Sequence, residues 1–268
     1  MIRLIYSLIF LCCATLGVAQ QTPSMPVKLR VCSYNVGHFN QGSLGGFQLD
    51  KKVAAAELIR WKQWIGVQGF DIFSFNEWNL YFDKDSVYQA QQQLLDPFYS
   101  TVVLGTPYRW IFNGFATNYK ITNIREKKWD GDYYAVLGDL HIGNEVITVI
   151  STHIPWQKNI HDHSFGMLLE ELKKYKYFIC MGDMNAPDAN QLKFAEQGFN
   201  IANGGHLGWF NTSGGKALRT GFRGDTNGNI DNIVTSSNIK IFNVSAPYTG
   251  LNDLDHLPII ADLVITWN

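Results

Sequence analysis

Short apolar runs of β type recur along the whole chain, whereas apolar residues at helical spacing occur in only two stretches. That imbalance is the strongest constraint on the fold. Residues 27–36, 71–75, 110–121, 133–141, 146–152, 177–181, 230–235, 239–244 and 259–266 read as strands, bounded by Gly, Asn, Asp and Pro. Residues 50–67 read as a helix, with Val53, Ala56, Leu58, Ile59, Trp61 and Ile65 on a helical period, and residues 165–175 as a second. Because a regular strand-helix-strand alternation is missing, a layered α/β sandwich is expected in place of a doubly wound parallel sheet. No linker, repeat or low-complexity block interrupts residues 27–268, which are expected to form a single domain.

Ahead of that domain, residues 1–19 carry Arg3 as their only charge, an apolar run from Leu4 to Val18, and small residues Gly17 and Ala19. This pattern is that of a secretory signal peptide cut near Ala19-Gln20, with residues 20–26 as a short polar lead. The run is short for a membrane span of about 20 residues, so a secreted or periplasmic protein is expected. Bulky Ile9, Phe10 and Leu11 before Cys12 and Cys13 disfavour lipidation. Cleavage leaves Cys32 and Cys180, enough for at most one intramolecular disulfide, so the core must carry the fold. The whole chain has a formal charge of −1, unlike the marked excess of Lys and Arg in sequence-blind duplex binders. The sequence has no dinucleotide-binding glycine fingerprint and no P-loop.

The residues capable of chemistry fall at the ends of the apolar runs. Asn35 ends VCSYN, Glu77 follows DIFSFN, His153 ends TVIST, and Asp183 and Asn185 follow YFICMG. Asp231 opens DNIVTS, and Asp255-His256 precedes LPIIADL. Any one of these, taken singly, reads as a turn residue. Asp183 and Asn185 are two apart, which on a continuing strand projects an acid and an amide to one face.

The motifs SYNV, FNEWN, STHIP, GDMNAP, NIDNIVTS and LDHLPI occur in an order and context that resembles the endonuclease/exonuclease/phosphatase superfamily, from Leu29 to Leu263. The resemblance implies a single-domain, four-layer α-β-β-α sandwich of two packed mixed sheets, and a metal-dependent hydrolase acting on phosphoesters. It implies Mg²⁺, with Mn²⁺ or Ca²⁺ as alternatives, held by Glu77 and Asp255 with Asn35 placing the ion and its neighbouring carboxylate. Asp183 matches the acid that orients or deprotonates the attacking water, and Asn185 an amide donor to the phosphate. His256 matches the imidazole on the scissile phosphate, with Asp231 fixing its tautomer. His153 matches the second histidine of the deoxyribonuclease-like and sphingomyelinase-like branches. Its supporting Glu is replaced here with Asn113, which is also a candidate substrate contact. A monomer acting on a phosphoester, nucleic acid first and lipid or sugar phosphates as the alternative, is the expectation.

Other features admit other readings. His161-Asp162-His163 is a candidate transition-metal site or a solvated loop. Asp225, Asn227, Asn229 and Asp231 have the rhythm of a Ca²⁺ loop, but Ile230 and Ser236 stand where an EF-hand needs Gly and Glu. The Gly-rich stretch 203–228 carries Trp209, Arg219 and Arg223, which could grip substrate. A secreted binding module without catalysis is the alternative of another class.

Overall fold

The structure, a computed structural model, describes residues 25–39, 50–107, 111–186, 188–213, 228–251 and 255–267. The leader, Arg219 and Arg223 lie outside them. Strands β1 (Val27–Asn35), β2 (Ile72–Asn79), β3 (Thr101–Leu104) and β4 (Ile111–Thr117) belong to one sheet. Strands β5 (Lys120–Lys128), β6 (Tyr134–Ile142), β7 (Glu145–His153), β8 (Phe178–Asp183), β9 (Asn200–Ile201) and β10 (Asp231–Thr235) form the other. Finally β11 (Ile239–Ser245) and β12 (Ile259–Ile265) return to the first. The orders are β11-β12-β1-β2-β4-β3 and β5-β6-β7-β8-β10-β9, six strands each.

Each sheet is antiparallel except for one central parallel pair, β1–β2 in the first and β7–β8 in the second. Parallel neighbours need a long crossover, and the chain supplies α1 (Lys51–Gln68) for one pair and α3 (Lys158–Leu172) for the other. The carboxylate of Asp50 starts α1 by accepting from the Lys52 and Val53 amides, both at 3.0 Å, and Gly69 ends it in the left-handed conformation. Two further short helices, α2 (Ala90–Leu94) and α4 (Asp188–Glu196), complete the outer layers.

Alternation along the strands divides the apolar residues among three cores. Val31, Ile72, Phe115, Val149, Ile179, Ile233 and Ala261 pack between the two sheets. Cys32, Phe73 and Phe75 face the other way, onto Leu58, Trp61 and Ile65 of α1. Leu137, Ile150 and Cys180 face Phe165, Leu168 and Leu172 of α3. The result is the expected four-layer sandwich. The two cysteines lie in different cores, both free, which settles the open question of a disulfide. Among the described residues no helix is long and apolar enough to cross a membrane.

Three sequence expectations change. The run read as one strand over 110–121 is two strands, because the chain turns at Asn118-Tyr119 and crosses from β4 in one sheet to β5 in the other. The His161-Asp162-His163 triplet is neither a loop nor a metal cluster, for it lies in α3: His161 is buried with Nε2 3.2 Å from the Met184 carbonyl, while His163 pairs with Asp130. Strand β8 stops at Asp183 and Asn185 has a φ of 45°, so the two residues do not share a strand face.

Gly182 of β8 lies opposite Thr152 of β7. Its φ is 152°, and a β-carbon there would stand 1.8 Å from the Thr152 carbonyl oxygen. Gly182→Ala is therefore expected to destabilise the fold by about 2 kcal/mol or more, read as a lowered urea midpoint.

Candidate active site

Hydrogen bonds from Asn35 and Asn76 to Asp183 bring the C-terminal ends of the parallel pairs β1–β2 and β7–β8 together at one edge of the sandwich, where ligands gather in α/β sheets. Asn35 ends β1, Glu77 lies near the end of β2, His153 ends β7 and Asp183 ends β8. Antiparallel neighbours bring their N-terminal ends to that edge: Asp231, the first residue of β10, pairs with Asp183, and His256 lies just before β12.

At the centre is Asp183, almost completely buried. Its Oδ2 accepts from Asn35 Nδ2 at 3.1 Å and stands 3.6 Å from His153 Nε2 and 3.8 Å from His256 Nε2. Its Oδ1 accepts from the Asn185 amide at 2.8 Å, and its own amide donates to Asn76 Oδ1 at 3.0 Å. A carboxylate with this many donors is fixed in rotamer.

His256 and Asp231 form a buried pair, with Nδ1 2.8 Å from Oδ2. Burial alone would lower the His256 pKa, but the charge and hydrogen bond of Asp231, together with Asp255 and Asp183, raise it well above the ordinary imidazole range. The ring thus keeps a proton for donation through Nε2. Asp231 is held in turn by Thr212, whose Oγ1 accepts from its amide, and by Asn203, which donates to its carbonyl.

His153 is oriented differently from the sequence expectation. Asn113 is turned away into its own network: its Oδ1 accepts from Asn76 Nδ2 at 3.1 Å and its Nδ2 donates to the Tyr134 carbonyl. The partner of the ring is Asn185, whose Nδ2 donates to the Ile154 carbonyl at 2.9 Å and lies 3.2 Å from His153 Nε2. Tyr133 packs edge-on against the same ring at 5.1 Å.

Glu77 is aimed by a bulge. Pairing of β2 with β4 slips by one residue between Phe75 and Trp78, and Glu77 has a φ of 52°. Its Oε2 meets His38 Nε2 at 2.8 Å, a partner that the sequence reading did not single out. His38 belongs to a left-handed turn in which Gly37, His38 and Phe39 have φ values of 45°, 60° and 66°. Left-handed L-residues cost about 1–2 kcal/mol each. The compensation is visible: Gly37 donates to Asn35 Oδ1, Phe39 donates to the Val36 carbonyl, and the Phe39 ring packs on Trp61, Trp78 and Phe82. A His shortly after a strand-ending Asn, followed by an aromatic anchor, is the only trace of this in the sequence.

The carboxylates are out of balance in a way that suits a cation. Burial pushes the Asp255 pKa up, and the charges of Glu77 and Asp183 add to this against the opposing pull of His256. Asp231 Oδ1 is buried with no hydrogen-bond partner. Asp183, Asp231 and His256 each offer a ligand atom within 4.8 Å of the others, so this buried group can hold a metal ion.

The fold is shared with solved structures that include endonuclease/exonuclease/phosphatase proteins. An endonuclease/exonuclease/phosphatase protein from Bacteroides vulgatus superposes with a TM-score of 0.66 at 14% identity, over 89% of this chain and 99% of its own. The human Nocturnin catalytic domain, solved with a bound sulfate anion, gives 0.64 at 17% identity over 90% and 97%. ANGEL2, a 2′,3′-cyclic phosphatase solved with adenosine-2′,3′-vanadate, gives 0.63 at 12% over 90% and 96%. No protein-family model matches the chain, and no curated protein matches it in sequence.

The Glu77 pairing has a consequence for acid stability. Burial alone would raise the Glu77 pKa, but the His38 hydrogen bond and the charges of His153, His38 and His256 bring it from 4.5 down to about 2. A carboxyl depressed on folding stabilises the protein above its unfolded pKa and ceases to do so as pH falls through its folded pKa. In metal-free buffer, the wild type is expected to lose stability relative to Glu77→Gln between pH 4.5 and 2. Urea midpoints across that window check this, and an unchanged difference would refute it.

Proposed function

We propose that the protein is a secreted, Mg²⁺-dependent phosphodiesterase, with nuclease activity ahead of action on lipid or sugar phosphates. The observation that carries this reading is one buried carboxylate oxygen, Asp183 Oδ2, faced by the Nε2 atoms of two histidines at 3.6 and 3.8 Å, one of them held by Asp231. In-line hydrolysis requires an acceptor for the proton of attacking water, a cationic donor to the phosphoryl oxygens, and a means of protonating the leaving oxygen.

Asp183 is the proton acceptor. Its rotamer is set by Asn35 and by the Asn185 amide, so a water bound to Oδ2 is aimed before substrate arrives. His256 is the cationic donor, since Asp231 keeps the ring protonated and turns Nε2 outward. His153, tied to Asn185, stands at the same Asp183 oxygen as His256, where it is a second group able to manage a proton at the ester. Glu77 and Asp255, with Asn35 beside them, are the oxygen donors proposed to hold a hard divalent ion; when bound, the ion neutralises charge growing on the phosphoryl group. Mg²⁺ is preferred for that set because imidazole, the softer donor, is engaged with carboxylates here. Arg219 and Arg223 remain proposed substrate contacts, as does export after cleavage near Ala19-Gln20.

Purified protein is expected to hydrolyse a phosphodiester with Mg²⁺, to stop on chelation and to recover when Mg²⁺ is restored. DNA, RNA, sphingomyelin and inositol phosphates form the panel; no chelator-sensitive turnover of any member would rule the proposal out. Asp183→Asn and His256→Ala are each expected to lower kcat/KM by about 10²–10⁴ with the circular dichroism spectrum retained. A non-catalytic binding module would tolerate both.

A further inference from the structure

Beside the catalytic cluster, on its His153 flank, is a cavity of about 280 Å³ whose lining includes Glu77, His153, Tyr133, Trp156, Ile111 and Ile160. Since Glu77 and His153 form part of its wall, an ester bound at the cluster directs one of its two substituents into this space. The remaining wall is unlike the cluster. Tyr133 is fixed edge-on to His153, two isoleucines supply aliphatic surface, and the Trp156 indole stands 68% exposed, a large apolar ring left in water.

The charge on this wall narrows the occupant. Among the described residues that line it there is no Lys or Arg, while Asp132 joins Glu77 as a second acid. A further phosphate, or the phosphate track of a polymer, calls for cations along its path, and none of the described lining residues supplies one. Size narrows it again: about 280 Å³ is at the small end of ligand cavities, room for one ring system and not for the paired acyl chains of a membrane lipid. Aromatic faces joined by small polar groups are what a flat, uncharged ring stacks upon.

We propose that this cavity is a subsite for a single flat aromatic ring carried on one ester oxygen of a small phosphodiester, with Trp156 as its stacking platform. The inference rests on the phosphodiesterase reading above and deepens it. The ring has two chemical sources, a nucleobase or a phenol, and the same wall serves both.

The test uses the mature enzyme with Mg²⁺ on three diesters: a dinucleoside monophosphate, bis(4-nitrophenyl) phosphate, and glycerophosphocholine, which has no ring. Trp156 is exposed, so Trp156→Ala is expected to keep the wild-type melting temperature. It is expected to raise KM about tenfold for ring-bearing diesters, to leave kcat within about twofold, and to leave the ring-free diester unaffected. Trp156→Phe should restore most of the loss. A KM change confined to the dinucleoside assigns the ring to a nucleobase, and one confined to the nitrophenyl diester assigns it to a phenol. Wild-type turnover with KM unmoved by Trp156→Ala, or moved equally for all three substrates, overturns the subsite while leaving the phosphodiesterase intact. Wild-type turnover of none of the three, nor of the nucleic acid and phospholipid panel, overturns both.

Discussion

A parallel strand pair at the middle of each sheet sets where everything else can go. Antiparallel neighbours alternate their ends between the two edges of a sheet, so a purely antiparallel sandwich would divide Asn35 from Glu77, and His153 from Asp183. With β1 beside β2 and β7 beside β8 in the same direction, all four C-terminal ends share one edge. The helices α1 and α3 follow from this, because a parallel return needs a crossover, and each then covers the outer face of its own sheet. The antiparallel partners β10 and β12 complete the arrangement from the opposite direction, starting where the parallel strands stop. The same edge therefore receives polar residues from five strands, and His256 from the connection just ahead of β12.

Local backbone strain then refines what the sheets position coarsely. Glu77, His38 and Asn185 all have positive φ, and each is a side chain that contacts another member of the cluster. Strain of this kind persists only where the surroundings over-determine it. For His38 they are the rings around Phe39, which extend the α1 core right up to the site. For Asn185 they are the Ile154 carbonyl and the Asp183 carboxylate on either side. The packing of the outer core and the aim of the polar groups are thus one problem, solved together.

Much of this could be read in the sequence. Strands buried on both faces, such as β1, β8 and β12, show as apolar runs, and the motifs at their ends supplied the order of the site residues. What could not be read has specific physical causes. Strand β5, KITNIREKK, is an edge strand with mostly exposed residues and so carries no apolar signal. The break between β4 and β5 needs only two residues, too few to leave a turn signature against the surrounding β-type composition. In α3 the first turn is polar, so the helix emerges from periodicity only at Phe165, seven residues after its start. His38 escaped because its place depends on three successive left-handed residues, a conformation that nothing but Gly37 announces. That Asn185 and not Asn113 meets His153 escaped for a similar reason: an amide's partners are set by tertiary register, which sequence spacing does not specify.

The composition of the site also explains why its charge is sensitive to what binds there. Glu77, Asp183, Asp231 and Asp255 converge; burial raises the pKa values of Asp231 and Asp255, and the cationic groups that pull against it, and that bring Glu77 down, are all imidazoles, from His38, His153 and His256. An imidazole is a weak base with an ordinary pKa near 6.5, whereas a guanidinium would stay charged throughout. His256 is held in its protonated form by Asp231. Burial thus works against the charge of carboxyls gathered at one point. On the proposed reading, a divalent cation would offset that cost and neutralise charge on the phosphoryl group. His256 then supplies a protonated donor, and the ion the remaining positive charge. A cluster neutralised by arginines would be more stable without metal, and would lack that division of labour.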